Sequence, residues 1–268
     1  MNSKTTKTTL LTMEYLSYTY HTLSGETKAL ENISFQIFPG EFVAIVGPSG
    51  CGKSTLLNII AGQITEYQGS LHFHESLYPS KDPKSNHLNI GYMLQHDHLF
   101  PWRTILQNVC LGLEINKVMT KENLDYVLAL LKKYGLIDFK DQKPSQLSGG
   151  MRQRAALIRT LALNPPLLLL DEPFSALDYQ TRLQVSGDIG NIIREHHKTA
   201  ILVTHNLSEA ISLADKIIVL TKRPATIKKE VQISLTITDP SPLGYRSAPE
   251  FNEYFNEIWE DLCDESKS

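Results

Sequence analysis

The run VAIVGPSGCGKST, Val43–Thr55, constrains the fold of this chain more than any other stretch. It passes from an apolar strand through a glycine-rich turn into a helix, with the G-x-x-x-x-G-K-S spacing of a phosphate-binding loop. Glycine lets the backbone N–H groups turn inward towards phosphate oxygens, and the helix dipole points its positive end at the same anion. The phosphate loop consists of Gly47, Pro48, Ser49, Gly50, Cys51, Gly52, Lys53, Ser54 and Thr55.

The lysine and serine of the loop have chemical roles of their own. Lys53 is placed to reach the β- and γ-phosphates as a point charge, and the Ser54 hydroxyl is placed to bind Mg²⁺. A glycine-rich turn that only caps a helix is the alternative interpretation. The context argues against it, because Val43–Val46 indicates a buried strand and the apolar helix Leu56–Ala61 stops at Gly62. We therefore expect ATP or GTP, with Mg²⁺, at this loop.

Composition excludes several classes of protein. The 268 residues can bury one sizeable core, and a formal charge of −3 without a long basic run gives no reason to expect a nucleic-acid partner. The three cysteines form no CxxC pair, which is typical of a reducing cytoplasm. No apolar run reaches the roughly 20 residues that span a bilayer, and the start MNSKTTKTTL lacks the apolar region of a secretory signal. We expect a cytoplasmic protein that can sit against a membrane partner.

Alternating apolar and polar residues indicate antiparallel strands near the amino terminus. Met13–Tyr20 and Ile33–Ile37 show this pattern, and His21–Lys28 between them is rich in turn formers. Gly69–Phe73 predicts a further short strand, followed by a polar loop at Ser76–Asn89. The prediction is an N-terminal antiparallel β-subdomain.

Compact apolar runs alternate with helical patterns in the rest of the chain, which is typical of an α/β fold. The runs are Val43–Val46, Ile90–Leu94, Leu167–Leu170, Ile201–Thr204 and Ile217–Leu220. Helical spacing dominates about 96–160, where Thr120 predicts an N-cap and another helix should begin near Ser148. We predict a phosphate-loop NTPase core with a mainly parallel sheet and an inserted α-helical subdomain.

The end of the chain predicts a short extension. Residues 1–225 form the predicted nucleotide-binding domain, whose last helix opens with a capping box of Asn206 and Glu209. Residues 226–268 predict a strand at Val231–Ile237 and a helix whose apolar stripe packs on the core. That stripe consists of Phe251, Phe255, Ile258 and Leu262.

An acidic pair follows the most apolar of the predicted strands. Leu167–Leu170 leads directly into Asp171 and Glu172. A carboxylate at the end of a buried strand beside a phosphate loop can orient Mg²⁺ and its waters, the role we expect for Asp171. Glu172, one residue later, is placed to act as general base towards the attacking water. The alternative is an acidic strand end that is satisfied by solvent. It would require four leucines and an acidic pair to occur together by chance in a chain that already has a phosphate loop.

Three further motifs carry a family resemblance. LSGGM at Leu147–Met151 precedes the acidic pair, SALD at Ser175–Asp178 follows it, and His205 closes a later strand. In this order the motifs resemble the nucleotide-binding subunit of ATP-binding cassette (ABC) transporters, over about Met13 to Arg223. In that family two chains meet head to tail with ATP between them, so the resemblance implies a dimer with a second copy.

The resemblance implies roles for particular residues. Ser148, Gly149 and Gly150 would present backbone N–H groups to the γ-phosphate held by the other subunit. Gln95 would touch Mg²⁺ or the attacking water, and His205 would be the switch histidine that senses the γ-phosphate.

Two more roles follow from the same resemblance. Asp178 would lie at the dimer seam. Tyr20 matches the aromatic residue that stacks on adenine, with Tyr18 as the alternative. Met151 stands where the family most often has glutamine, a change expected to spare the phosphate contacts and to alter dimer affinity.

Finer resemblance concerns the cargo. LFPWRTILQNV, the run from LSGGM to DYQTR, Arg223-Pro224 and the tail EFNEYFNEIWEDL resemble the ATPases that import nitrate, sulfonates, taurine or thiamine precursors. This implies integral membrane permease subunits, indirectly an extracytoplasmic solute-binding protein, and a peripheral location on the cytoplasmic face of the membrane. The aromatic group Leu99–Arg103 either docks the permease or packs within the helical subdomain.

Two readings from other classes stay open. A soluble ABC ATPase would act in repair, translation or cofactor assembly, but repair forms need a long coiled coil and translation forms usually carry two cassettes. A non-catalytic regulatory cassette would bind ATP without hydrolysis, against which the presence of Glu172 and His205 argues.

Overall fold

The computed structural model describes residues 8–23, 25–78, 88–237 and 242–267, which form two sheets with helices packed on them. The polar loop predicted at Ser76–Asn89 and the start of the chain fall largely outside these residues. No helix of the described part combines the length and the apolar character needed to cross a membrane.

The smaller sheet is antiparallel and has the order β2-β1-β4. Its strands are β1 (Leu11–Thr22), β2 (Gly25–Ile37) and β4 (Gln68–Phe73). The predicted turn at His21–Lys28 is wrong in extent, because the β1–β2 pairing runs on through Tyr20 with Thr27 and Thr22 with Gly25. Cross-strand backbone bonds override the turn-forming composition of this segment.

The larger sheet carries the core and has the order β5-β6-β7-β3-β8-β9. Five strands are parallel, as predicted, and β9 is antiparallel to β8. The strands are β3 (Phe42–Val46), β5 (Ile90–Met93), β6 (Leu167–Asp171), β7 (Thr199–Val203), β8 (Lys216–Leu220) and β9 (Ile227–Gln232). All residues of β3, β7 and β8 are buried, which explains their uninterrupted apolar runs.

The strand predicted at Val231–Ile237 begins and ends too late. The chain turns back tightly after β8, where Thr221 N–H donates to the Thr226 carbonyl at 3.0 Å. Ile227 therefore pairs at once with Leu220, and the strand is over by Gln232. The polar residues of this edge strand concealed it, because only one face packs on the protein.

Nine α-helices are assigned in the described residues. They are α1 (Lys53–Ile60), α2 (Ile105–Val109), α3 (Leu111–Ile115), α4 (Lys121–Lys133), α5 (Gly149–Leu161), α6 (Tyr179–Glu195), α7 (Leu207–Leu213), α8 (Pro242–Arg246) and α9 (Phe251–Lys267). The predicted cap of α4 is confirmed, since Thr120 accepts from Asn123 N–H, and so is the predicted start of α5 near Ser148, which accepts from Met151 N–H. Helices α2 to α5 occupy the segment predicted to be a helical subdomain.

The carboxyl-terminal extension shares the core of the main domain. Phe251 and Ile258 of α9 are buried in the same apolar cluster as β6 and α5, and Phe255 and Leu262 pack partly buried against it. The predicted stripe is thus core packing. Trp259 remains 53% exposed on the outer side of the helix.

Candidate functional site

The phosphate loop joins the carboxyl end of β3 to α1, and its glycines are required by the local geometry. Gly52 has φ +130°, and a Cβ there would lie 2.9 Å from Leu30 Cδ2. A Cβ on Gly47 would lie 3.1 Å from the Leu220 carbonyl oxygen, and Gly50 has φ +71°. A side chain at Gly47 or Gly52 would push the loop away from its neighbours, and one at Gly50 would strain the backbone, so the cradle that points N–H groups inward depends on glycine.

Lys53 is held inside this loop. Its Nζ donates to the carbonyl oxygens of Gly47 and Pro48, both at 2.9 Å, and the residue is only 6% exposed. A buried ammonium needs acceptors, and these two carbonyls position it at the mouth of the loop. The adjoining cavity of about 500 Å³ is lined by Ser49, Gly50, Gly52, Lys53, Ser54, Thr55, Glu172, His205 and Arg223.

Ser54 and Asp171 meet next to the lysine. The Ser54 hydroxyl donates to Asp171 Oδ1 at 3.1 Å, although the two residues lie on α1 and β6. Burial raises the pKa of Asp171, and the hydrogen bond from Ser54 and the charge of Lys53 act in the opposite direction. A hydroxyl and a carboxylate oxygen are the hard ligands that Mg²⁺ takes beside nucleotide phosphates, so the donor set fits that ion.

Glu172 and His205 face each other across the ends of β6 and β7. Glu172 Oε2 lies 3.1 Å from His205 Nδ1. Glu172 has φ +44°, a left-handed conformation, and its N–H donates to the Val203 carbonyl at 2.9 Å. This strained backbone directs the side chain towards the histidine and the cavity, as is common for residues that act on a substrate.

Gln95 is connected to the acidic pair through a serine. Its Nε2 donates to Ser175 Oγ at 3.3 Å, and Ser175 Oγ donates to the Glu172 carbonyl at 3.1 Å. The structure thus links Gln95 to Glu172. It gives no direct contact between Gln95 and the Ser54–Asp171 pair among the described residues.

Tyr20 touches the phosphate-loop helix. Its hydroxyl shares a 2.9 Å hydrogen bond with Thr55 Oγ1, and the ring is 36% exposed. Tyr18 packs edge-on against Tyr20, with ring centroids 4.8 Å apart. Tyr20 therefore contacts the first turn of α1, whereas neither Tyr18 nor Tyr20 lines the cavity of the phosphate loop.

The signature residues lie on another part of the surface. Ser148 caps α5 and is exposed, and neither it nor Gly149 or Gly150 lines the cavity of the phosphate loop. A Cβ on Gly150 would lie 2.9 Å from Val185 Cγ2, so this glycine is also needed for close packing of α5 on α6. The first turn of α5 offers N–H donors at an exposed helix N-terminus.

Asp178 has a structural role in addition to the one predicted for it. It is the N-cap of α6, and its Oδ1 accepts from Thr181 N–H at 3.1 Å. Hydrogen bonds from the side chain and then from the backbone N–H of Thr181 lower the pKa of the Asp178 carboxyl. Like the signature, it lies outside the cavity lining.

The structure adds one residue to the site that motif analysis missed. Arg223 follows β8, lines the cavity, and donates to the Gly50 carbonyl at 2.6 Å. The two residues are 173 positions apart, so no local pattern signalled the contact.

The reciprocal capping box expected at α7 is incomplete, since Glu209 binds the side chains of Thr204 and Asn206 instead of the Asn206 N–H.

Comparison with known proteins identifies the family of this chain. The sequence model of the ABC transporter family matches residues 30–175. An uncharacterized ABC transporter ATP-binding protein, YtlC of Bacillus subtilis, is 45% identical over 94% of this chain and 95% of its own length. The nitrate import ATP-binding protein NrtD of Synechocystis is 40% identical, covering 87% of this chain and 88% of its own.

Two further proteins extend the comparison. The aliphatic sulfonates import ATP-binding protein SsuB of Bacillus licheniformis is 37% identical over 85% of this chain and 84% of its own length. The structure of the dimeric ATP-binding cassette MJ0796 in a post-hydrolysis state, bound to ADP and Pi, has a TM-score of 0.67. It is 33% identical and covers 84% of this chain and 99% of its own. The chain therefore belongs to the ABC transporter family and is one of its ATPases.

Proposed function

We propose that this chain is the motor subunit of an ABC importer, in which ATP-driven closure of a dimer powers uptake of a small solute through a separate permease. One observation carries the dimer: the cavity holds the phosphate loop, Glu172 and His205, whereas the signature turn Ser148–Gly150 opens elsewhere. A γ-phosphate bound at the loop needs donors on its far side, and the exposed N-terminus of α5 in a second copy supplies them.

The chemistry is assigned to the chain's own groups. Lys53 and the loop N–H groups would hold the phosphates, and Ser54 and Asp171 would hold Mg²⁺, which would supply neutralisation of the phosphate charge. Glu172 accepts a proton from the attacking water as that water's oxygen bonds to the γ-phosphorus and the bond to the β-phosphate oxygen breaks. His205 orients the Glu172 carboxylate, and Gln95 reports on the site through Ser175.

The direction of transport and the class of cargo rest on the relatives. NrtD is a nitrate import protein and SsuB an aliphatic sulfonate import protein. We infer import of nitrate, a sulfonate such as taurine, or a related organic solute such as a thiamine precursor. Because every residue of the site serves ATP chemistry, selection of the solute lies with the permease and an extracytoplasmic binding protein.

An aromatic surface next to Gln95 is the proposed permease dock. The rings of Phe100 and Trp102 stack with centroids 5.0 Å apart, and Trp102 is 69% exposed. Leu94, which directly precedes Gln95, is also exposed, at 41%. Exposed apolar surface of this kind marks a contact with another protein, here one that holds the ATPase on the cytoplasmic face of the membrane.

The proposed dock contacts the signature helix α5 and adjoins Gln95. Gln95 lies at its edge, and Arg152 Nε of the signature helix bonds Asp97 Oδ2 at 3.0 Å. Arg159, from the same helix, donates to the carbonyl oxygens of Asp97 and His98, both at 2.8 Å. Movement of a docked permease segment would therefore shift α5 and Gln95 together.

The test is affinity capture of the tagged chain from detergent-solubilised native membranes. We expect a polytopic membrane subunit to copurify with the wild type and to be lost with Trp102→Ala. Trp259→Ala is the matched control, because it removes a 53% exposed tryptophan from α9 and should leave the complex intact. Recovery of the membrane subunit with Trp102→Ala would refute the dock.

The same experiment separates the main alternative, a soluble ABC ATPase. Only soluble partners in the wild-type capture would support that reading and refute the importer, while the ATP site assignments would stand. If a permease is captured, its companion binding protein should bind one of nitrate, a sulfonate or a thiamine precursor in calorimetry. Absence of binding to all three would refute the proposed cargo class.

A further inference from the structure

A partly buried arginine connects the SALD segment, Ser175–Asp178, to the following helix. Arg182 lies in the first turn of α6 and donates through one terminal nitrogen to the Leu177 carbonyl at 3.0 Å and the Ser175 carbonyl at 3.4 Å. Ser175 Oγ donates in turn to the Glu172 carbonyl at 3.1 Å. Arg182 thus connects the SALD segment with the backbone of the proposed general base.

A buried glutamate fastens the segment that presents His205. Glu209 of α7 is 5% exposed, and its Oε2 accepts from Thr204 Oγ1 at 2.8 Å. Its Oε1 accepts from Asn206 Nδ2 at 3.2 Å. Because Thr204 and Asn206 flank His205, the glutamate holds the histidine from both sides.

Arg182 and Glu209 meet and close a ring around the catalytic pair. Arg182 Nε lies 3.9 Å from Glu209 Oε1, an ion pair between α6 and α7. The ring runs from Glu172 through Ser175, Arg182, Glu209 and Thr204 to His205, and back to Glu172 at 3.1 Å. Among the described residues the buried Arg182 Nε has no hydrogen-bond partner, so the ion pair with Glu209 is not reinforced by a hydrogen bond.

We propose that Arg182 and Glu209 are positioning residues that couple the SALD segment to the switch histidine. When a second subunit contacts Asp178 and shifts this segment, the arginine carries the shift to Glu209 and so to His205. The histidine would then direct the Glu172 carboxylate at the water only when both subunits are engaged. The inference rests on the proposed roles of Glu172 and His205 and concerns no direct contact with ATP.

The competing explanation is a brace that only stabilises the fold. In that explanation the positive charge of Arg182 is needed only for folding, because a buried Glu209 carboxylate without a partner would destabilise the protein. Arg182→Lys separates the two explanations, because lysine keeps the charge. A single ammonium has no rigid fork, so it cannot donate to the SALD carbonyls and at the same time pair with Glu209, as the arginine side chain does.

The experiment measures steady-state ATP hydrolysis, ATP affinity and thermal unfolding of the full chain carrying Arg182→Lys, Glu209→Gln, or both. We expect kcat to fall about tenfold in each single variant while the Kd for ATP changes less than about twofold. Because both changes interrupt the same ring of contacts, kcat of the double variant should also fall about tenfold, and not about a hundredfold.

The chain supplies a matched control. Arg154 pairs with Asp188 at 3.6 Å, its side chain is 25% exposed like that of Arg182, and its Nε is likewise buried without a hydrogen bond. Arg154→Lys should leave kcat at the wild-type value. An equal loss of kcat in Arg154→Lys would assign the effect to general loosening and overturn the proposal.

The remaining outcomes are equally decisive. A folded Arg182→Lys protein with wild-type kcat, or a double variant whose loss is the product of the single losses, would overturn the coupling. Glu172→Gln is measured in parallel. If it is inactive while Arg182→Lys is normal, only the coupling fails; if it is fully active, the base assignment fails and the coupling with it.

Discussion

Replacing Glu172 with glutamine isolates the basicity of one side chain. Glutamine has nearly the same shape, so the 2.9 Å bond from this residue's N–H to the Val203 carbonyl and the contact with His205 can persist. The phosphate contacts that we propose for Lys53 and the loop involve other residues. We therefore expect ATP to bind normally while hydrolysis fails.

The magnitude follows from comparing two effects. Loss of a general base costs about 10²–10⁴ in rate, or about 2.7–5.5 kcal/mol at about 1.36 kcal/mol per tenfold. Loss of the attraction between Glu172 and His205 costs at most about 1 kcal/mol, about fivefold, because the histidine side chain is 55% exposed and solvent screens the pair. A loss beyond about tenfold is thus attributable to the missing base.

The assay is phosphate release at saturating ATP and Mg²⁺, with the ATP Kd measured by calorimetry. Glu195→Gln is the control, since it neutralises a half-exposed carboxylate that pairs with Lys133 at 2.8 Å at the far end of α6. A Glu172→Gln protein whose kcat stays within about fivefold of the wild type would refute the reasoning.

Three other predictions concern binding and stability. Lys53→Ala should weaken ATP binding about 10- to 100-fold, because a hydrogen bond to a charged group contributes about 1.5–3 kcal/mol, and unchanged affinity in calorimetry would count against the loop. Gly91→Ala should destabilise the fold by about 1–3 kcal/mol in urea titrations, since its Cβ would lie 2.5 Å from Thr160 Cγ2; a neutral result would show that β5 and α5 can separate freely. Burial lowers the pKa of His196, with the charges of Lys133, Lys198 and His197 acting in the same direction and that of Glu195 against it, so the unfolded chain binds the proton more readily. The free energy of unfolding should therefore fall as pH drops through the ordinary histidine range. His196→Asn should reduce the dependence of the thermal unfolding temperature on pH between about pH 7 and pH 5, and an unchanged dependence would contradict the direction of this pKa shift.

The parts of the site that could be predicted are those encoded by neighbouring residues. The phosphate loop needs a strand, three glycines and a helix start in one continuous run, so the motif specifies its own backbone. Asp171 and Glu172 were assigned correctly to a buried strand end for the same reason, as the apolar run before them can only be a core strand. Their catalytic roles remain predictions.

The errors arose where pairing partners are distant in sequence. β9 begins at Ile227, and not at Val231, because backbone hydrogen bonds to β8 set the register of β9. The polar residues of β9 give no sign of this pairing. The antiparallel turn after β1 is short for the same reason. Local composition reports tendencies, and cross-strand hydrogen bonds override them when a neighbouring strand is available.

By itself, the sequence determined the fold class, the phosphate loop and the order of the chemical motifs, because each is a property of contiguous residues. Only the tertiary structure decided that the Arg223 guanidinium binds the Gly50 carbonyl, and that Arg182 and Glu209 close a ring around Glu172 and His205. These contacts join side chains from separate strands and helices. Their distances are set by how the elements pack, which no local pattern of residues records.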